Sequence, residues 1–122
     1  MIRNLQSTMN FPGGEECPKR VNVTLKGSTD VHEKQGSRSG VYTKVPEKLS
    51  GGMPYWRLNN HAIWFSQGSW RIGHLHFIGN KTAHLVSKDA VPCPNSDILG
   101  WKYHAGASFE DASEGDVKIT TA

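Results

Sequence analysis

The sequence predicts an all-β domain, a small antiparallel meander that forms a barrel or a two-layer sandwich, with one long-range disulfide expected. Three observations predict it. Short apolar stretches alternate with polar residues at period two, as half-buried strands do, and no stretch of helical period stands out. Thirteen glycines and six prolines punctuate those stretches, as tight turns between short strands require. Cys17 and Cys93 lie far apart, each beside a proline and outside any CxxC spacing, which speaks against a redox motif or a zinc knuckle.

A chain of 122 residues fits one domain, with residues 1–16 read as a flexible N-terminal segment and 17–122 as the β domain. The leader ends in the turn Pro12-Gly13-Gly14. Val21, Val23 and Leu25 then alternate with Asn22, Thr24 and Lys26, the signature of a first strand. Residues 27–40 are polar and turn-rich, which reads as a loop or irregular edge. Strand character resumes over 40–45, where Val41, Tyr42, Thr43 and Val45 suit a pleated surface. A glycine-rich loop from Lys48 to Met53 leads to a strand over 54–58, where Pro54 takes the first position.

Asn59-Asn60 reads as a turn, residues 62–65 as a strand, and Ser66-Gln67-Gly68-Ser69 as a tight hairpin with Gly68 at positive φ. Between Trp70 and Phe77 the apolar parity changes at Gly73. A bulge or bend there would keep both Trp70 with Ile72 and Leu75 with Phe77 inward. Strands follow over 83–86, 101–103 and 117–120, with a brief helical turn at Asp97-Ile98-Leu99.

A Cys17–Cys93 bridge would close a loop of about 76 residues and stabilise the fold by roughly 4–5 kcal/mol; the alternative is two partly buried thiols. The bridge and two glycosylation sequons, at Asn22 and Asn80, point to a secreted or extracellular compartment. No signal peptide is visible at the start of the chain, and no apolar run is long enough to span a membrane.

The order Ser39-Gly40-Val41-Tyr42, Gly52-Met53-Pro54-Tyr55-Trp56, Ile63-Trp64-Phe65, Trp70-Arg71-Ile72-Gly73, Cys93-Pro94 and Trp101 resembles a small β module of extracellular and cell-surface proteins. The resemblance covers about half of the chain. It implies a compact β module appended to or repeated in surface proteins, and it carries no catalytic residues.

The function this supports is an extracellular binding or adhesion module, directed to a glycan or to another extracellular protein. Tyr55 with Trp56 or Trp64, rimmed by Arg57, Asn59, Asn60 and Gln67, would form a stacking platform for a sugar. The competing reading, which carries more weight, is that these aromatics are the core of a small domain. His61, His74, His76 and His84 are weak candidates for a metal, because His74 and His76 share a face in a straight strand. An exposed histidine pair is the plainer account, with binding that responds to pH as its consequence.

No nucleophile motif, phosphate loop, dinucleotide fingerprint or other cofactor motif is present. A small secreted hydrolase would need a spatially assembled pair such as His104 with Asp97 or Glu110, or His32 with Glu33. No acidic residue lies between Glu47 and Asp89, a window holding Lys48, Arg57, Arg71, Lys81 and Lys88 and four of the six histidines. That window suits a nucleic-acid-binding barrel in principle. Its basic residues are thinly spread, and the expected disulfide argues for another compartment. A structural or protein–protein role, with an oligomer, is the remaining alternative.

Overall fold

The computed structural model describes residues 17–80, 82–96, 98 and 100–122. The leader 1–16 with its turn, and the proposed turn at 97–99 apart from Ile98, lie outside the described residues.

Strands β1 (Arg20–Leu25), β2 (Gly40–Ser50), β3 (Met53–Leu58), β4 (His61–Ser66), β5 (Ser69–His74), β6 (Leu85–Ser87), β7 (Trp101–His104), β8 (Phe109–Asp111) and β9 (Val117–Thr121) form one antiparallel sheet. Its order is β8-β7-β6-β5-β4-β3-β2-β1-β9. The chain meanders from β1 to β8, and β9 returns to pair with β1, so β8 and β9 are the two ends of a curled sheet. Helix α1 (Asp30–Gln35) joins β1 to β2 and caps one end of the curl.

Register fixes which side chains are inside. Lys44, Trp56, Ile63, Ile72, Leu85 and Tyr103 stand opposite one another in turn across six strands, and Val23 faces Ile119 on the far side. These rows define the concave face, and Trp56, Ile63, Trp70, Ile72 and Leu85 there are fully buried. Trp56 meets Trp70 edge-to-face at 5.7 Å, and Phe65 meets Trp70 at 5.2 Å. Each such indole contributes on the order of 1.5–3 kcal/mol of burial.

A second, smaller cluster sits on the convex face. There Ala62, Trp64 and Ala83 are buried beneath Tyr55, Leu75, Phe77, Ile78 and Val86. Gly73 makes this cluster possible: a β-carbon on it would stand 3.2 Å from both the Trp64 ring and His84 Nδ1.

The disulfide Cys17–Cys93 is formed, with Cα atoms 5.5 Å apart. Buried indoles hold both segments that carry it. Trp56 Nε1 donates to the Pro18 carbonyl at 2.9 Å, and Trp70 Nε1 donates to the Val91 carbonyl at 2.7 Å. Lys44 Nζ donates to the Cys17 carbonyl at 2.9 Å. Burying a polar N–H without a partner would cost about 1–3 kcal/mol, so these bonds fix where the loops run.

Four sequence expectations are corrected. The stretch 27–40 contains α1, started by Thr29, whose hydroxyl accepts from His32 N–H at 3.2 Å and donates to the Lys26 carbonyl. No bulge occurs at Gly73: it stays in register opposite Ala62. The parity changes because the strand ends at His74 and a 3-10 turn, Leu75–Phe77, delivers its apolar residues to the convex cluster. Strand β2 runs on to Ser50, with its irregularity between Val45 and Leu49. Strand β8 has an all-exposed burial pattern, so no apolar alternation announced it. The hairpin at Gln67-Gly68 is as expected, with φ of 53° and 81°, and Asn59 turns at φ 54°.

Candidate functional site

The expected aromatic platform does not form. Trp56 and Trp64 are both fully buried, on opposite faces of the sheet, because Trp56 pairs with Ile63 and one-residue offset reverses the face. Neither indole offers a face to a ligand. Tyr55 is half-buried over the convex cluster, while Arg57, Asn59 and Asn60 are exposed and Arg57 Nε donates to the Asn59 carbonyl at 2.9 Å. Gln67 is exposed at the opposite end of β4, so it does not join them.

A different site arises where the two ends of the sheet approach. Trp101 of β7, Val117 and Ile119 of β9, residues 94–96 and 98, and the β8–β9 connection line a two-lobed cleft. One lobe, about 240 Å³, reaches Lys88, Ser113 and Glu114; the other, about 350 Å³, reaches Asn95, Ser96 and Lys118. Trp101, Ile98, Glu114, Gly115 and Val117 are common to both lobes. The cleft lining mixes the apolar Ile98, Val117 and the buried Trp101 with the Ser96 and Ser113 hydroxyls, the Asn95 amide, the Glu114 carboxylate and the Lys88 and Lys118 ammonium groups. Asn95 donates from Nδ2 to Thr121 Oγ1 at 3.3 Å, and its Oδ1 is buried without a partner. Lys88 is bridged to Asp111 at 3.1 Å.

The segments that make this cleft are anchored by the disulfide. Cys93 is next to Pro94, and Cys93 N–H donates to Ser96 Oγ at 3.2 Å. No local sequence signal marks the cleft, since its walls come from three separated stretches and meet only because the sheet curls.

The histidines are drawn together at the other end of the strands. His61 faces His74 across β4 and β5, and His74 stacks toward His76 at 4.4 Å, with His76 exposed. His84 and His104 approach edge-to-face at 6.2 Å, and Phe77 lies 6.3 Å from His84. Arg38, from the 3-10 turn after α1, donates from Nη1 to His61 Nδ1 at 2.8 Å and from Nε to Gln35 Oε1 at 3.0 Å. Gln35 in turn donates to the His104 carbonyl at 2.8 Å, and the Tyr42 hydroxyl donates to the Arg38 carbonyl at 2.7 Å.

Burial, the Arg38 charge and His74 lower the His61 pKa. Burial first, then Arg38, His104, His74 and His61, push His84 down to about 4. Among the described residues no set of three or more His, Cys, Asp or Glu could hold a metal ion. Sequence reading missed Arg38, and it named His104 only as a candidate partner for Asp97 or Glu110. The acid-free window around the other histidines was the signal that pointed to this region.

Asn22 lies on the outward face of β1, with its Nδ2 donating to Thr24 Oγ1 at 3.3 Å, and Asn80 is exposed in a turn whose carbonyl accepts from Trp64 Nε1. No helix among the described residues is long and apolar enough to cross a membrane. Comparison with family models, with curated proteins and with solved structures gives no match to this chain.

Proposed function

We propose that this domain is a binding module of extracellular type, and that its ligand is a carbohydrate held in the cleft between the two ends of the sheet. The observation that carries the proposal is the cleft itself, where the apolar Ile98, Val117 and the edge of Trp101 share one lining with Asn95, Ser96, Ser113 and Glu114. A sugar presents apolar C–H faces and several hydroxyls, and a lining that mixes apolar groups with donors and acceptors matches both. The lobe volumes, about 240 and 350 Å³, lie just below and just above the lower limit for ligand clefts, which suits one or two sugar rings. A long-range disulfide supports an oxidising compartment, and the exposed Asn80 supports glycosylation there.

The test is a panel of neutral glycans followed by NMR, read at the Trp101 indole N–H. A saturable shift that Glu114→Gln or Asn95→Ala weakens at least about fivefold would support the reading. No shift with any neutral glycan would end it.

A protein partner is the second reading, favoured by the two sheet ends. Among the described residues, strands β8 and β9 each pair on one side only, and Phe109 on β8 is 43% exposed. Sedimentation across a concentration range, with Phe109→Glu as control, tests self-association through that edge.

A further inference from the structure

Arg38 sits in an unusual setting for an arginine. It is partly buried, and its hydrogen bonds go to a neutral amide and an imidazole. Partly buried guanidinium groups normally face a carboxylate, since an unpaired buried charge is costly. Here the neighbours from each packed element are also basic or neutral. β4 gives His61, β5 gives His74, the following turn gives His76, and the approach to β6 gives His84; β7 gives His104, and α1 gives Gln35.

Two acids of the neighbouring elements α1 and β8 lie beside Tyr103. Asp30 accepts from the Tyr103 hydroxyl at 2.5 Å, and Glu110 stands opposite Tyr103 on β8. Neither acid acts on Arg38, His61 or His84. His84 Nδ1 is buried and has no partner. Among the described residues, no carboxylate pairs with Arg38 or with the imidazoles beside it.

We propose that this end of the sheet binds a tetrahedral oxyanion, sulfate or phosphate, between the guanidinium of Arg38 and the imidazoles beside it, and that binding tightens as the pH falls. The anion's oxygens accept from Arg38 and from protonated ring N–H groups arriving from different strands. Multi-oxygen anions satisfy donors converging from several directions, which a chloride ion does not. Protonation and binding are linked: an anion that prefers the charged imidazoles draws protons onto them, and acid draws the anion in. Burial first, and then the neighbouring positive charges, lower the His61 and His84 values in the ligand-free protein, and an anion would offset the second of these.

The experiment titrates the intact chain with sodium sulfate, and separately with sodium phosphate, at pH 7.5 and pH 5.5. Chloride at matched ionic strength is the control, and the histidine ring C–H resonances are read by NMR. The expected result is saturable shifts at His61, His74 and His84, with affinity at least about tenfold tighter at the lower pH. Arg38→Gln should abolish them; Arg38→Lys, which keeps the charge, should retain a weakened response. His74→Gln, on a partly exposed ring, should reduce the pH dependence while the fold persists by near-UV circular dichroism. Shifts no larger than those with chloride, or unchanged in folded Arg38→Gln and His74→Gln, would overturn the proposal. The cleft at Trp101 is read with neutral glycans, so neither result bears on the other.

Discussion

Replacing both Cys17 and Cys93 by alanine should cost this domain about 4–6 kcal/mol, most of it through the unfolded chain. The bridge spans a sequence separation of 76. The chain-entropy model gives roughly 4.5 kcal/mol for a loop of that length, and truncating the buried Cys17 adds about 1 kcal/mol. The native ends do not depend on the bridge alone. Pro18 is held by Trp56, Val91 by Trp70 and the Cys17 carbonyl by Lys44, so the folded geometry should survive the substitution.

The stabilisation should therefore fall while the native spectrum stays. Urea unfolding, followed by tryptophan fluorescence, should show a lower midpoint with an equal or steeper slope, because the uncrosslinked chain exposes more surface. Near-UV circular dichroism in water should be retained. A loss below about 1.5 kcal/mol, or a comparable loss with the near-UV signal collapsed, would refute the reasoning. The first outcome would mean that the unfolded chain is already constrained, and the second that the bridge holds the native state directly.

Other substitutions probe separate steps. Folding opposes protonation of His84, so the stability it confers is complete above about 6.5 and is lost as the pH falls from there to about 4. The full shift corresponds to about 3.4 kcal/mol, which partial exposure of the ring discounts to roughly 1–2 kcal/mol. Urea midpoints at pH 7.5 and pH 4.5 should differ less in His84→Gln than in the parent, and equal differences would sink the assignment. Trp70→Phe should cost about 2–4 kcal/mol, since it removes buried area and leaves the Val91 carbonyl without its donor; thermal unfolding reads it. Gly51→Ala should cost about 2 kcal/mol more than Gly52→Ala in the same assay. Both adopt positive φ, but only at Gly51 would the new carbon meet a backbone atom, the Phe65 carbonyl oxygen at 2.6 Å.

Strand positions were legible where one face of the strand is buried and the other is not. Val21, Val23 and Leu25 show the burial alternation that their sequence spacing implies. The Gln67-Gly68 hairpin was legible because its conformation demands particular residue types. Helix α1 was not, since six residues with one buried aliphatic side chain, Val31, cannot display a helical period. Its one local cue was Thr29 ahead of Asp30, a cap too common in loops to decide between them.

The faces of the tryptophans were less legible for a related reason. Parity sends the neighbours Tyr55 and Trp56, and Trp64 and Phe65, to opposite faces, and leaves open whether the second face meets solvent or is covered. The 3-10 turn after β5 covers the convex face as well, so Trp56 and Trp64 both became core. The cleft was illegible because nothing local distinguishes residues 88, 94–96, 98, 100–101, 112–115 and 117–119 before the sheet curls.

The two sites proposed for this fold differ in what holds them, which separates their chemistry. The cleft borders the segment that carries Cys93, and its Asn95 and Ser96 follow the bridge within three residues. Its geometry is set by a covalent tie and by indole N–H bonds, and neither titrates in the range where proteins work. The cation cluster lies past the far ends of β4 and β5, where position depends on Arg38, Gln35 and imidazoles whose charge changes with pH. Reduction of the bridge should therefore reach the cleft first, and acid the cluster. That division follows from the meander: hairpins at Gly51-Gly52 and Gln67-Gly68 gather at the bridged end, and the acid-free run from Lys48 to Lys88 leaves its histidines to meet at the other.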